Sequence, residues 1–279
     1  VIYLSVWLYA KRDRLHVFSL GFLPLSVILG IFGGLIFLQP DLSAAGTVLL
    51  MGGLLFFLAG GDLKQIALML VATLAVGWLV VQFSDTGQQR ILEFITGLKD
   101  PTQSSYHVLR SFEAIVGGGV FGRGIGQSLS KFTGLPLPPT DSIFAVIAEE
   151  LGLIGSVFLM CLYAMLIWRG FVIARRAPDM LGTLLASGLV LWIGVEALIN
   201  MTVMVGLMPF AGNALPFISA GGSNLTVMLG AVGILLNISR QRGDGNRTED
   251  EWRSFGATID LRGRNGRRRV SRPRRSRRV

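Results

Sequence analysis

The sequence predicts an all-α fold, a bundle of membrane-crossing helices with one long loop on the outer side of the membrane. The composition is one reason, because 51% of the 279 residues are hydrophobic and only 15% are charged, whereas soluble domains carry about 25% charged residues. The pattern is the other reason. The hydrophobic residues form continuous runs, and the sequence lacks the alternation of apolar and polar residues that a membrane β-barrel requires.

Six apolar runs approach the length of about 20 residues that a helix needs to cross the hydrocarbon core. They lie at about 22–38, 44–60, 65–83, 143–168, 182–206 and 217–238, and residues 1–10 are the end of a further run. The shorter runs can span if flanking residues join the helix or the bilayer thins locally. Because the chain begins inside an apolar run, we expect a further N-terminal part before Val1.

Basic residues in the short connections predict the orientation of these runs. Lys11 follows the first run, Lys64 lies two crossings later, and Arg175 lies two crossings beyond that. Short loops rich in Lys and Arg face the cytoplasm, whereas long loops are exempt from this bias. Segment 84–142, although it carries several basic residues, is therefore expected outside, together with the connection at 207–218.

The C-terminal region differs in composition from the rest. Residues 240–279 hold 14 Arg and 5 acids, and this net charge of +9 equals that of the whole chain. We expect a membrane domain at 1–240 followed by a disordered, Arg-rich cytoplasmic tail at 241–279. After a membrane segment, orientation and attraction to anionic headgroups are favoured over nucleic-acid binding, so no nucleic-acid partner is expected.

The most informative stretch is Leu135–Gly152, which reads LPLPPTDSIFAVIAEELG. Pro138 and Pro139 keep their neighbours out of the helical region, so Asp141 is held at the mouth of the apolar run that begins at Ile143. An Asp at such a position is most often a helix N-cap. The alternative is an active-site carboxylate at the membrane–water boundary, and the local pattern leaves both interpretations open.

Ionisable residues inside the apolar runs are functional candidates because their burial in lipid is costly. Glu149 lies eight residues after Asp141, about 12 Å farther along a helix and within roughly 80° of the same face, so it is predicted to line a cavity below Asp141. Glu196 and Asn200 share a helix face, which favours interhelical hydrogen bonding. Asp41 follows a proline on the outer side and is compatible with a turn, a helix cap or a site residue.

Segment 84–142 is too long to be a mere connector, which favours a function for it. The spacing of Tyr106, Phe112 and Val116 predicts a short helix at the membrane interface. The glycine-rich run 117–126 follows and ends in GRGIGQS. It is compatible with a tight, close-packed turn and with an anion-binding backbone beside Arg123. A dinucleotide fold is not expected, because the run has no βαβ context.

Together these stretches resemble the SEDS family (shape, elongation, division and sporulation), the polytopic peptidoglycan glycosyltransferases that include FtsW and RodA. The residues that carry the resemblance are Gln39 to Leu42; Tyr106, Ser111 and Ala114; Gly118 to Ser128; Pro138 to Gly152; Asn200; and Leu215 to Ser223. The resemblance covers residues 1 to about 240 and implies that about seven of the family's ten helices are present. Three positions depart from the family pattern: Pro139 replaces a His, Ala220 a Tyr and Glu196 a Gln.

The resemblance implies polymerisation of lipid II outside the cytoplasmic membrane, with Asp141 as the essential catalytic carboxylate. We expect substrate-binding roles for Asp41, Arg90, Arg110, Arg123, Lys131, Glu149, Ser219, Gly221, Gly222 and Ser223. The basic residues are candidates to neutralise the donor's pyrophosphate, although a solvated basic loop facing headgroups is an equal alternative. A divalent cation, Mg²⁺ or Mn²⁺, would suit phosphate oxygens, but the sequence shows no dedicated metal cage.

The resemblance also implies partners, namely a class B penicillin-binding transpeptidase and other membrane proteins of the division machinery, at the septum. The run Pro209–Asn213 is more similar to the division branch than to the elongation branch. Three alternatives stay open: a RodA-like elongation polymerase, a lipid II flippase or transporter, and a non-catalytic scaffold. A transporter would favour inverted repeats and helices broken at the midplane, and the sequence contains no convincing repeat.

Overall fold

The computed structural model describes residues 1–39 and 42–241, and within them it contains nine α-helices and no β-strand. This confirms the predicted all-α fold. Asp41 and the Arg-rich tail lie outside the described residues, so the expectations for them stay predictions.

The helices follow the predicted apolar runs, with two more helices in segment 84–142. They are α1 Ile2–Ala10, α2 Leu23–Phe37, α3 Leu42–Leu58, α4 Leu63–Phe83, α5 Asp85–Lys99, α6 Tyr106–Gly118, α7 Ile143–Arg175, α8 Met180–Met204 and α9 Gly222–Arg240. A π-helical turn, Phe18–Phe22, precedes α2 and lengthens it.

Four of the described helical segments are long and apolar enough to cross a bilayer. They are Phe18–Ile36, Ile143–Arg175, Met180–Met204 and Gly222–Arg240, and two shorter apolar helices lie at Ser43–Leu58 and Leu63–Trp78. Many of their large apolar side chains are exposed, Trp78 and Phe158 among them. Side chains of this kind are stable on a helix surface that faces lipid, so the described residues form a multi-pass membrane bundle.

Helix α8 is the centre of the bundle. Half of its apolar span is buried, compared with 17% of the span of α7. It contacts α1, α3, α6, α7 and α9. The C-terminal end of α8, which is predicted to be its outer end, is surrounded by segment 84–142 and by the loop that leads to α9.

Segment 84–142 is more ordered than its length indicates. The predicted short helix is confirmed as α6. Helix α5 was not predicted; its N-cap is Ser84, whose hydroxyl accepts a hydrogen bond from the N–H of Gly87. Residues 119–142 contain no long helix and pack against the N-terminal part of α7.

Candidate functional site

Helix α7 is broken at Gly152, where φ is 69° and ψ is −165°. The break removes the two helical hydrogen bonds that would join Leu153 and Ile154 to the carbonyls of Glu149 and Glu150. Those two N–H groups donate instead to the carbonyls of Gly119 (2.9 Å) and Val120 (3.3 Å). The glycine-rich loop therefore enters the gap in the helix.

The freed carbonyls of the helix are also satisfied by the loop. The N–H of Arg123 donates to the Glu149 carbonyl and the N–H of Gly124 to the Glu150 carbonyl, each over 3.0 Å. All four backbone groups at the break are thus paired, as buried backbone groups must be.

Glycine is needed because the two backbones are in direct contact. A Cβ added at Gly122 would lie 2.1 Å from the Glu150 carbonyl oxygen, and one at Gly152 would lie 2.4 Å from the Gly122 nitrogen. The structure supports the close-packed turn rather than a phosphate cradle, because the N–H groups of Arg123 and Gly124 already have acceptors.

The side chain of Glu149 fixes the next part of the loop. Glu149 is buried, with 1% of its surface exposed. Its carboxylate accepts hydrogen bonds from the Ser128 hydroxyl (2.6 Å) and from the N–H groups of Leu129 and Ser130 (3.2 Å each). It also pairs with Arg123, with 3.3 Å between Nη1 and Oε1. These partners hold the carboxylate at residues 128–130, and its place in a cavity below Asp141 and a role in substrate binding stay predictions.

Asp141 lies in the turn just before α7. The N-cap residue is Ser142, which makes no side-chain capping bond and donates instead to the Pro136 carbonyl over 2.8 Å. The carboxylate of Asp141 accepts no hydrogen bond from any residue that the structure describes, and the side chain is partly exposed. The N-cap interpretation is therefore not realised, and the carboxylate is available to a ligand.

Backbone contacts hold the Asp141 turn in place. The buried Asn200 of α8 donates its amide to the carbonyls of Asp141 (2.8 Å) and Asn213 (2.6 Å). The Ser219 hydroxyl donates to the Thr140 carbonyl (2.7 Å) and accepts from the Leu215 N–H (2.7 Å). Helix α8 and the loop after it therefore fix the position of the carboxylate.

The remaining predicted residues of the 219–223 run lie at the start of α9. Gly221 is the N-cap of this helix and Gly222 its first residue, and no side chain caps it. Gly222 and Ser223 are exposed. Ser219 is buried and supports the turn through Thr140, so its predicted contact with substrate stays untested, as do those of Gly221, Gly222 and Ser223.

The four predicted cations fall into two groups. Arg110, Arg123 and Lys131 pair with Glu113, Glu149 and Glu150, respectively. Arg90 has no carboxylate partner among residues 1–39 and 42–241, and its guanidinium lies 5.8 Å from the centre of the Phe210 ring. Arg90 is therefore the member of the set with its charge available for a ligand.

His107 is a candidate site residue that the sequence did not reveal. Its ring stacks on Phe210, with 4.3 Å between the ring centres. Burial lowers the pKa of His107, the nearby Asp141 charge raises it and Arg90 lowers it, with a net lowering. A single His within an amphipathic helix has no motif around it; only its place beside Tyr106 in segment 84–142 was visible in the sequence.

A metal centre is not built into the described part of the chain. No group of three His, Cys, Asp or Glu side chains with ligand geometry is found there. The side chains in the described part of the chain therefore do not form a dedicated divalent-cation site.

The family model for FtsW, RodA and SpoVE, described as cell cycle proteins, matches residues 1–244. The chain belongs to this family. The resemblance drawn from the sequence is thereby confirmed, and with it the multi-pass membrane fold.

Two relatives show how close the similarity is. The probable peptidoglycan glycosyltransferase FtsW of Geobacter metallireducens is 40% identical over 242 residues, which are 86% of this chain and 64% of that protein. The stage V sporulation protein E of Bacillus subtilis is 38% identical over 244 residues, 86% of this chain and 66% of that protein. The chain thus spans just under two thirds of the length of these FtsW and SpoVE relatives.

Solved structures of the family have the same fold. A chain from a peptidoglycan synthase complex that coordinates polymerization and crosslinking superimposes with a TM-score of 0.67 at 27% identity, covering 87% of this chain and 69% of that one. The rod shape determining protein RodA of Thermus thermophilus gives a TM-score of 0.59 at 25% identity, covering 86% and 64%.

The departures from the family pattern can now be placed. Pro139 and Ala220 are joined by a backbone hydrogen bond, in which the Ala220 N–H donates to the Pro139 carbonyl over 2.8 Å. This bond does not depend on either side chain, so both substitutions leave the Asp141 turn intact. Glu196 accepts from the Trp192 indole N–H over 2.7 Å one turn earlier in α8.

Proposed function

We propose that this chain forms the membrane domain of a peptidoglycan glycosyltransferase that polymerises lipid II during cell division. The observation that carries the proposal is the Asp141 carboxylate. It is held at the outer mouth of α7 by Asn200 and Ser219, yet its own oxygens are not used by the fold. Membership of the family and similarity to relatives named as peptidoglycan glycosyltransferases support the same activity.

In this proposal Asp141 is the general base. The acceptor sugar's hydroxyl transfers its proton to the carboxylate as its oxygen forms the new bond to the donor's anomeric carbon. The bond from that carbon to the lipid pyrophosphate breaks, and its electron pair leaves with the phosphate oxygen. A positioned base contributes typically 10²- to 10⁴-fold to the rate of such a step.

Arg90 is the cation best placed for the leaving group. Its guanidinium has no carboxylate partner among the described residues, and its charge acts on His107, which Asp141 also reaches. A cation next to a developing phosphate charge stabilises the transition state more than the ground state. Arg110, Arg123 and Lys131 would first have to leave their carboxylate partners.

The transporter alternative is favoured by one observation, the break in α7, since broken helices are frequent in transporters. The break lies nine residues from the outer end of a 33-residue helix, however, and not at its middle. The backbone groups that the break releases from helical pairing are hydrogen-bonded to the glycine-rich loop, so they are not available to coordinate a transported ion. The polymerase proposal therefore explains more of the structure.

The test uses the full-length protein that contains this sequence, purified with and without a class B penicillin-binding transpeptidase and supplied with lipid II. Formation of glycan strands supports the proposal. Movement of lipid II across vesicle membranes without strand formation would support the flippase instead. The division branch is tested by whether depletion of the protein in cells blocks septation or elongation.

A further inference from the structure

A cleft with two arginines in its wall lies where the C-terminal ends of α7 and α9 meet. Its volume is about 300 Å³, and it is lined by Arg169, Val172, Ile173, Arg176, Ile238 and Ser239. This is the volume of roughly ten water molecules, which is enough for a phosphate group and the glycerol attached to it. The cleft lies at the opposite end of the 33-residue helix α7 from Asp141, so it is separate from the candidate site described above.

The two arginines belong to one face of α7. Arg169 and Arg176 are seven residues apart, which is almost two helical turns, so their side chains leave the helix in nearly the same direction, about 10 Å apart along its axis. Both are exposed, and both line the same cleft. Their guanidinium groups can therefore reach a single ligand that enters between α7 and α9.

The positive charge of the cleft is not neutralised by the fold. Neither Arg169 nor Arg176 has a carboxylate within ion-pair distance among residues 1–39 and 42–241. The nearest acid along the chain is Asp179, whose carboxylate caps α8 by accepting from the Gly182 N–H over 3.0 Å. Two like charges at one cleft repel each other, and an anion between them removes this repulsion.

The surface of α7 indicates that the cleft lies at the level of the lipid headgroups. The large apolar side chains that are exposed along this helix end at Trp168, which is 64% exposed. The Arg169 guanidinium lies 5.7 Å from the centre of the Trp168 ring. Exposed tryptophan is enriched at the boundary between hydrocarbon and water, so a ligand of this cleft meets apolar chains on one side and water on the other.

We propose that this cleft binds the phosphate group of an anionic phospholipid, an inference that goes beyond the proposed function and does not depend on it. Arginine donates paired N–H groups to phosphate oxygens, and basic pockets between membrane helices bind such headgroups. Val172, Ile173 and the buried Ile238 give the cleft an apolar wall for the glycerol and the first methylenes of the acyl chains. A zwitterionic lipid is disfavoured, because its ammonium group would meet the second guanidinium.

The test measures lipid binding by the full-length protein that contains this sequence, purified in an uncharged detergent. Native mass spectrometry gives the affinity for dioleoylphosphatidylglycerol and for dioleoylphosphatidylcholine, and thermal unfolding is followed with each lipid and with inorganic phosphate. A ligand that binds the folded state alone raises the unfolding midpoint. We expect phosphatidylglycerol to bind and to raise the midpoint, and phosphatidylcholine and inorganic phosphate at the same concentration to leave it near the value without ligand.

Two double variants locate the binding. Arg169→Gln with Arg176→Gln should weaken phosphatidylglycerol binding by about tenfold or more. The matched control is Arg12→Gln with Arg14→Gln, which removes the same charge from the connection between α1 and α2 and should change the affinity by less than about twofold. All variants keep the Arg-rich tail, so a difference between them reports on the cleft.

Three results would overturn the inference. They are equal affinity for the two lipids, unchanged phosphatidylglycerol binding after loss of Arg169 and Arg176, and an equal loss of binding in the control pair. Stabilisation by inorganic phosphate as large as that by phosphatidylglycerol would show that the cleft takes a free anion, and it would overturn the assignment to a lipid.

Discussion

Asp141 was predictable at the residue scale because proline acts locally. Pro138 and Pro139 restrict the backbone before the helix whatever surrounds them, and so the acid had to lie at its entrance. Its freedom from the helix was not predictable, since Asp is a good N-cap. Ser142 occupies that position instead, and long-range bonds from Asn200 and Ser219 hold the turn.

Asp141→Asn separates the catalytic interpretation from the structural one. Asn has the same size but cannot accept the acceptor hydroxyl's proton, so we expect polymerisation to fall by about 10²- to 10⁴-fold. Thermal stability and partner binding should stay near the wild-type values, because the fold uses the backbone of residue 141 and not its carboxylate. Glycan synthesis within about threefold of wild type would remove Asp141 from the mechanism.

Asn200→Asp tests how the carboxylate is positioned. The substitution removes the amide that donates to the carbonyls of Asp141 and Asn213 and leaves two buried acceptors facing a carboxylate. We expect a loss of about 1–3 kcal/mol in the free energy of unfolding and a fall in kcat of about tenfold or more, because small displacements of a catalytic group are costly.

Thr202→Ala is the matched control for Asn200→Asp. Thr202 lies two residues later on α8 and is partly exposed, and its hydroxyl donates to carbonyls of its own helix, those of Leu198 and Ile199. Its loss should leave kcat within about twofold. Equal effects of the two substitutions on kcat would mean that Asn200 has no special part in holding Asp141.

At the element scale, the break in α7 is the feature that sequence patterns do not reveal. Residues 143–168 form one apolar run, which correctly predicts a helix, and the pair Glu149–Glu150 marks it as unusual. The use of these acids could not be deduced, because their partners lie about 20 to 30 residues earlier, in a loop without regular structure. Helix α5 was not predicted because its apolar residues are few and are mixed with charged ones.

Gly152→Ala tests the insertion of the glycine-rich loop into α7. The new Cβ would lie 2.4 Å from the Gly122 nitrogen, in a backbone conformation with φ of 69° that only glycine adopts without strain. We expect a loss on the order of 3 kcal/mol or more in the free energy of unfolding, from overpacking and backbone strain together. Thermal unfolding in detergent measures it.

The control for Gly152→Ala is Gly230→Ala in the middle of α9, where an added Cβ meets no atom within 4 Å. There alanine should raise helix stability by about 0.5–1 kcal/mol. Similar stability for both variants would show that the loop is not seated in the helix break as described.

At the scale of the whole molecule, hydropathy and charge predict the positions of the helices and their orientation in the membrane, whereas they do not predict the contacts of single residues. The apolar runs agree with the helices because the hydrocarbon core imposes helical structure on any buried chain. Loop charges then predict the orientation, since Lys and Arg are retained in the cytoplasm. The folding of segment 84–142 is not governed by these two effects, and it depends on particular contacts with α7 and α8.

The predicted orientation can be tested by labelling single cysteines from outside the cell. Cys161, the one cysteine of the chain, is exposed on α7 and is first replaced by Ala. A cysteine at Gln103, exposed between α5 and α6, should react with a membrane-impermeant thiol reagent. A cysteine at Arg176, exposed between α7 and α8, should react only after the membrane is permeabilised.

This pair of positions is decisive because it brackets α7. Gln103 lies in the segment that carries His107 and leads to Asp141, whereas Arg176 follows the basic end of the helix, where Arg175 lies. The positive-inside effect predicts that Arg175 lies in the cytoplasm, so Asp141 is expected to face outward, as the proposed reaction requires. Labelling of Arg176→Cys but not Gln103→Cys in intact cells would mean that the true orientation is the reverse of the predicted one. Asp141 would then lie on the wrong side of the membrane for the proposed reaction.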